Sequence, residues 1–308
     1  MPDLKKLFPE AVVNVNGELF DPAAARISVF DRGFLYGDSV YEVTISKNAC
    51  LAFFDEHLDR LFHSAALIGM TVFVPRDTII AETLRTLSSL GLPEAYLRIV
   101  LTRGETAITL DPSPAYRNNL VIIAKPPPKH PARHYAAGLH LALVSVLRND
   151  RRATDPNAKS GNYLNNILAL KEAKALGAED AVMVNADGEV TESTTSNLWM
   201  VRDGTVITPA LSCGILRGIT RGIVLDLCRR EDIRVEESAF PAERLLDADE
   251  VFLTSSTRGV VPVRRVNQTA LPDRPADRPV TDRLMRLYRD VFEKHLNRRR
   301  YTYTSSRQ

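Results

Sequence analysis

The chain has 308 residues, 44% hydrophobic and 25% charged, which is ordinary for a folded protein and long enough for two domains with a large core. A formal net charge of +2 is too small to argue for a nucleic-acid partner. Cys50, Cys213 and Cys228 form no C-x-x-C and cannot all pair, the opening M-P-D-L-K-K-L-F-P-E has no apolar signal core, and no run approaches roughly 18 apolar residues; a cytoplasmic protein without a membrane segment is expected.

Taken in order, Val12 to Val15, Asn16-Gly17 and Glu18 to Phe20 predict a hairpin, because Asn-Gly suits the positive φ of a type I′ turn. Val40 to Ile45 alternates like a half-buried strand, with Leu51 to Phe54 as its partner. Asp55 is the expected N-cap of a helix with the apolar stripe Leu58, Leu61, Phe62, Ala65 and Ile68; Arg60 lies off that stripe. A second helix runs from about Asp77 to Leu90. Ala95 to Thr102 follows as a strand that puts Tyr96 and Arg98 on one face, and Leu120 to Ala124 as a buried strand. K-P-P-P-K then stiffens the chain and removes donors, which predicts a linker at 125–135 between an N-terminal domain (1–124) and a larger C-terminal domain (136–308).

Beyond it, Leu139 to Leu147 reads as a long strand and Arg148 to Ala158 as a polar loop. A helix from about Tyr163 to Leu176 carries Leu164, Ile167, Leu168 and Leu176 at helical spacing. Two hairpins follow, turning at Asp187-Gly188 and Asp203-Gly204. Gly218-Ile219-Thr220 opens an apolar helix through Val224, Leu225 and Cys228, Glu250 to Thr254 is a strand ending in Ser255-Ser256-Thr257, and a last helix covers about Asp282 to Leu296.

The chemistry is narrowed by what is missing. The six histidines are scattered with no H-E-x-x-H, so no metal is expected; G-x-S-x-G, Walker A and G-x-G-x-x-G are absent. What remains is Lys159 opening a helix, Glu192 at a strand end, and two hydroxyl- and amide-rich turns, at Gly218 to Thr220 and at Ser256-Thr257. A lysine at a helix start is by default a solvated charge, and a glycine before a helix by default a turn. Together, however, they match one request: an amine for an aldehyde, a carboxylate for a pyridine nitrogen and a helix N-terminus for a phosphate.

These residues sit in D-R-G-F-L-Y-G-D-S-V-Y-E (31–42), H-L-D-R-L (57–61), Y-L-R (96–98), K-S-G-N-Y-L-N-N (159–166), E-S-T-T-S-N (192–197), G-I-L-R-G-I-T-R (214–221) and T-S-S-T (254–257). In that order and spacing the chain resembles the class IV, fold-type IV pyridoxal-phosphate enzymes: branched-chain aminotransferases, D-amino acid aminotransferases and 4-amino-4-deoxychorismate lyases. The resemblance implies an α/β (α+β) fold of two domains with the cofactor, pyridoxal 5′-phosphate, in the cleft between them, and a homodimer. It also implies roles. Lys159 would bind the cofactor covalently and move the substrate proton; Glu192 would hold the pyridine nitrogen; Tyr163 would meet the phenolic oxygen. Arg60, Ile219, Thr220 and Ser256 would hold the phosphate.

Within the family, Glu42 argues against the lyase, and I-T-L (108–110) lacks the Arg-x-His carboxylate trap of the D-amino acid enzymes. Tyr96-Leu97-Arg98 matches the branched-chain type, with Tyr96 near the α-carboxylate and Arg98 for the side-chain carboxylate of glutamate. Tyr36 and Tyr41 would line the substrate pocket, with Thr257 beside the substrate. T-T-S-N (194–197) leans to the D-amino acid and lyase forms, and Arg258 offers a second carboxylate site. The expectation is a transaminase of L-branched-chain amino acids and 2-oxo acids with glutamate/2-oxoglutarate as partner pair. The alternatives are a D-amino acid or (R)-amine transaminase, the lyase, or a cofactor-binding protein without turnover.

Overall fold

Asn16 (φ 53°) and Gly17 (φ 90°) take the left-handed conformations that turn β1 (Val12–Val15) back on β2 (Glu18–Phe20). The structure, a computed structural model, describes residues 10–271 and 278–305, so most of the opening decapeptide lies outside the described residues. Its contacts divide the chain into two units.

In the first unit β1 and β2 are followed by α1 (Arg32–Tyr36), β3 (Ser39–Lys47), β4 (Cys50–Leu51), α2 (Phe54–Leu67), α3 (Arg76–Leu90), β5 (Ala95–Thr102) and β6 (Asn119–Lys125). The six strands form one antiparallel sheet in the order β2-β1-β6-β5-β3-β4. Alternation sorts its faces. Val40, Leu97, Ile99, Leu101, Leu120, Ile122 and Ala124 pack with Leu58, Leu61 and Ala65 of α2 and Ile79 and Leu87 of α3, while Tyr41, Tyr96 and Arg98 project on the opposite face.

Asp55 does not cap α2. Phe53 holds the N-cap in a left-handed conformation (φ 49°), with its N–H donated to Nε2 of His295, and Asp55 stands in the first turn. There its negative charge suits the helix N-terminus while it accepts from Tyr301 Oη at 2.6 Å.

The second unit holds α4 (Ala132–Ala136), β7 (Leu139–Leu143), α5 (Leu164–Ala175), β8 (Asp180–Val182), β9 (Asn197–Arg202) and β10 (Thr205–Thr208). A 3₁₀ turn (Leu211–Cys213) leads to α6 (Ile219–Arg230), β11 (Val235–Glu237), α7 (Ala242–Leu246), β12 (Glu250–Ser255), β13 (Gly259–Val266), β14 (Thr269–Ala270) and α8 (Pro279–Asn297), of which only the part up to Val291 counts with this unit. Its eight-stranded sheet is mixed, ordered β11-β10-β9-β12-β13-β7-β8 with β14 beside β13. Leu198, Met200, Val251, Leu253, Val261 and Val263 form its main core.

Three sequence expectations change here. The strand from Leu139 stops at Leu143, because the Glu172 carboxylate takes the N–H groups of Ser145 (2.7 Å) and Val146 (3.3 Å) away from any ladder. G-V-V-P-V-R-R-V, for which no strand was expected, forms β13; an internal proline is unusual in a central strand, and its parallel pairing with β7 starts only after Pro262, at Val263. On α5 the apolar stripe is outside: Leu164, Ile167 and Leu168 are 67%, 59% and 46% exposed, and Asn166, Ala169 and Ala173 are buried instead.

The division also departs from a linear split near 125–135. Ala158–Asn162 counts with the first unit because it runs along the edge of β3: Tyr41 N–H donates to Lys159 O and Gly161 N–H to Ser39 O, each at 2.9 Å. The residues from Phe292 onward join it too, through Leu51 N–H to Tyr301 O (2.9 Å) and the Tyr303–Ser46 hydroxyl pair (2.6 Å).

Candidate active site

On the first unit's sheet, one tyrosine, Tyr41, gathers two of the other expected residues. Lys159 is fixed by its backbone, with O accepting from Tyr41 and N–H donating to Ser64 Oγ at 3.1 Å, so its side chain starts from a rigid edge. Its Nζ donates to Tyr41 Oη at 3.3 Å and lies 4.4 Å from that ring's centroid. The Arg98 guanidinium stacks on the same ring at 3.9 Å. Tyr96 is two residues away on β5, under the ammonium of Lys125 at 5.1 Å, and Tyr36 at the end of α1 lies under Arg32 at 5.1 Å.

Arg60 lies on the other side of that sheet. Its Nε and Nη2 donate to the two oxygens of Glu42 at 2.6 and 2.8 Å, and His57 Nδ1 reaches Glu42 Oε2 at 2.7 Å. Burial alone would raise the Glu42 carboxyl, but the charge and hydrogen bonds of Arg60, then those of His57, outweigh it and bring it down to about 2. Burial pushes His57 below its ordinary value, against the pull of Glu42 and helped by Arg60 and Lys159. Glu42 is therefore a carboxylate that can only accept, and a neutral His57 must carry its proton on Nδ1. Sequence reasoning used Glu42 only as a family marker and passed over His57; the i, i+3 spacing of His57 and Arg60 on one helix was the signal that could have joined them.

In the second unit Glu192 is buried and held from three sides. Arg148 Nη2 reaches Oε1 at 3.0 Å, while Leu216 N–H and Asn197 Nδ2 donate to Oε2 at 3.1 and 3.3 Å. These donors fix the position and plane of the carboxylate. Arg148, read from sequence as part of a polar loop, is braced in turn by Asn166 Oδ1 at 3.3 Å. Asn197 also donates to Leu216 O at 2.8 Å and lies so close to Gly218 that a Cβ there would sit 1.9 Å from its Oδ1, which explains the glycine by space rather than by conformation.

Gly218 is the N-cap of α6, and no side chain caps this helix. Its first turn brings Ile219 and a buried Thr220, whose hydroxyl bonds Tyr288; burial, slightly offset by that bond, raises the Tyr288 hydroxyl to about 12. At the end of β12, Ser255 Oγ is buried without a hydrogen-bond partner, next to half-buried Ser256 and Thr257. An uncapped helix start and an orphaned hydroxyl fit a phosphate, and the amine of Lys159 and the fixed carboxylate of Glu192 fit an aldehyde and a ring nitrogen. Tyr163 stands just before α5.

Arg258 is bound within its unit. Its Nη1 and Nη2 donate to Asp180 Oδ2 at 3.4 and 3.3 Å and Nη2 to Thr195 Oγ1 at 3.3 Å. Among the described residues no group of three or more His, Cys, Asp or Glu could hold a metal ion, and no helix is long and apolar enough to cross a membrane.

The model of the amino-transferase class IV family matches residues 39–266. The chain belongs to the class IV aminotransferases. It is accordingly a pyridoxal-phosphate-dependent enzyme with the family's fold. A protein of Methanocaldococcus jannaschii described as a putative branched-chain-amino-acid aminotransferase is 33% identical over 92% of this chain and 96% of its own length. The D-alanine aminotransferase of Bacillus licheniformis is 31% identical over 82% of this chain and 87% of its own. The crystal structure of the branched-chain aminotransferase of Thermoproteus uzoniensis with norvaline superposes with a TM-score of 0.85 at 29% identity, covering 93% of this chain and 97% of that one.

Proposed function

We propose that this class IV aminotransferase exchanges the amino group of an L-branched-chain amino acid with a 2-oxo acid, using glutamate and 2-oxoglutarate as the partner pair. The observation that carries this reading is the convergence of Lys159 and Arg98 on Tyr41: a proton-moving amine and a carboxylate-binding guanidinium share one ring. Arg98 presents a planar fork suited to the second carboxylate of glutamate, and Tyr96, Tyr36 and Thr257 complete the substrate set.

When bound, pyridoxal phosphate supplies the electron sink that makes the substrate Cα–H acidic. Lys159 would hold the cofactor and move the proton at the substrate Cα, and Arg60 would bind its phosphate. Glu192 would meet the ring nitrogen, Tyr163 the phenolic oxygen, and Ile219, Thr220 and Ser256 the phosphate.

Spectral half-reactions of the holoenzyme test the reading. The cofactor band is expected to disappear with L-leucine and L-glutamate, and to persist with D-alanine, D-glutamate and aminodeoxychorismate. Bleaching by the D-acids alone would replace it with the D-amino acid reading, which the D-alanine relatives support. A band that persists with every amine would leave a cofactor binder without turnover.

A homodimer belongs to the same proposal and draws support from exposed apolar residues on each unit: Phe34, Ile108 and Leu110 on the first, the α5 stripe on the second. A cytoplasmic location belongs to the same proposal and draws support from the buried, free cysteines.

A further inference from the structure

We infer that Arg148 is the positioning residue that presents Oε1 of Glu192 to the cofactor's ring nitrogen; this rests on the reading of Glu192 as the partner of that nitrogen. A carboxylate oxygen accepts about two hydrogen bonds. Oε2 already has both, from Leu216 N–H at 3.1 Å and Asn197 Nδ2 at 3.3 Å. Among the described residues Oε1 is reached only by Arg148 Nη2, at 3.0 Å, and so keeps room for a second donor. The oxygen left for a ring N–H is therefore the one whose place Arg148 sets.

Arg148 is itself tied to the segment that carries Glu192. Its Nη1 donates to Asn166 Oδ1 at 3.3 Å, and Asn166 Nδ2 donates to the carbonyl of Thr194, two residues beyond Glu192, at 2.8 Å. Its backbone N–H donates to Val184 O at 2.8 Å. One planar guanidinium thus spans Glu192 and Asn166, which the single ammonium of a lysine cannot do in the same plane. Fold stability is a poor reason for this arginine. Its side chain is 13% exposed and its Nε is buried without a hydrogen-bond partner, so the fold gives up the hydration of that donor without return. Stability and orientation also differ in what they discriminate. A stability role would weaken all cofactor-like ligands alike, whereas the place of Oε1 matters only to a ligand with a ring nitrogen.

The test is equilibrium dialysis of the full-length, cofactor-stripped chain with pyridoxal 5′-phosphate and with its 1-deaza analogue, which has a ring C–H in place of the nitrogen. Its readout is the ratio of the two affinities. Glu192→Ala is expected to collapse that ratio. Arg148→Met, which fills much of the same space without the fork, should lower it by about ten- to a hundredfold, while binding of the 1-deaza analogue stays within about twofold. Arg148→Lys should lower it by a similar factor, since the charge remains and the planar fork is lost. If Glu192→Ala collapses the ratio and Arg148→Met leaves it at the wild-type value, the positioning role is overturned and the reading of Glu192 stands. A wild-type ratio in Arg148→Lys overturns the role equally, and that variant carries the comparison if Arg148→Met does not fold. If Glu192→Ala also leaves the ratio unchanged, the reading of Glu192 itself has failed.

Discussion

At the residue scale, Lys159 and Arg98 both lie over the ring of Tyr41. The Arg98 guanidinium stacks one face on the Tyr41 ring, 3.9 Å from its centroid. Arg98→Ala should raise the KM for glutamate about ten- to a hundredfold, the worth of one charge-assisted pair, with the leucine KM within about threefold. Steady-state kinetics with both donors checks this, and equal losses for both would remove Arg98 from the glutamate site. Glu192→Gln should lower kcat by about a hundredfold, because it leaves Arg148 facing a neutral amide and deprives the ring nitrogen of its counter-charge. An unchanged kcat would show that another group fills that role. Lys159 and Glu192 stand in patterns the sequence displays, but Arg148 does not: it precedes Glu192 by a whole helix and strand, and only folding puts its guanidinium at Oε1.

At the scale of elements, α5 shows how one apolar spacing can be read two ways. Leu164, Ile167 and Leu168 lie on one helical face as expected, yet the face turned inward is the one with Asn166, Ala169 and Ala173. Small side chains let the helix approach its sheet closely, and Asn166 is required inside because it ties Arg148 to the Thr194 carbonyl, to which it donates at 2.8 Å. Leu168→Ser should therefore change stability by no more than about 0.5 kcal/mol in chemical denaturation. In the proposed dimer, Ile167→Asp should shift light-scattering mass toward the monomer, and an unchanged mass would remove α5 from the interface. Gly218→Ala should cost about 1–3 kcal/mol, because Asn197 cannot yield without giving up its bonds to Leu216 and Glu192; a melting temperature equal to wild type would contradict that.

At the scale of the whole molecule, acid is the expected weakness. Glu42 sits at about 2 against an ordinary 4.5, so the fold favours its ionised form; that contribution is complete above about 4.5 and is lost as pH falls toward 2. Asp38 has the same sign: burial would raise it, but Arg103 and Arg32 bring it below 3.8. His57 and His295, lowered mainly by burial from 6.5, add to the loss, since the unfolded chain takes up their protons first as pH drops below that value. The melting temperature should fall steadily below pH 6.5 and more steeply below 4.5, and His57→Gln should flatten the upper part of that decline. A melting temperature that stays level down to pH 4 would mean these groups are not held as the structure has them.

The local grammar of the chain was sufficient for the hairpin at Asn16-Gly17, the strands carrying Tyr41 and Arg98, the helix after Gly218, and the motifs that assign the family, because turn conformation, strand alternation and residue chemistry act over a few neighbours. Three features needed the tertiary structure. Lys159 counts with the first unit because its backbone pairs with β3, the α5 stripe faces outward, and Arg60 is held by Glu42 from a strand 18 residues away. Each depends on which groups long-range packing brings within hydrogen-bond reach, and no local pattern encodes that distance.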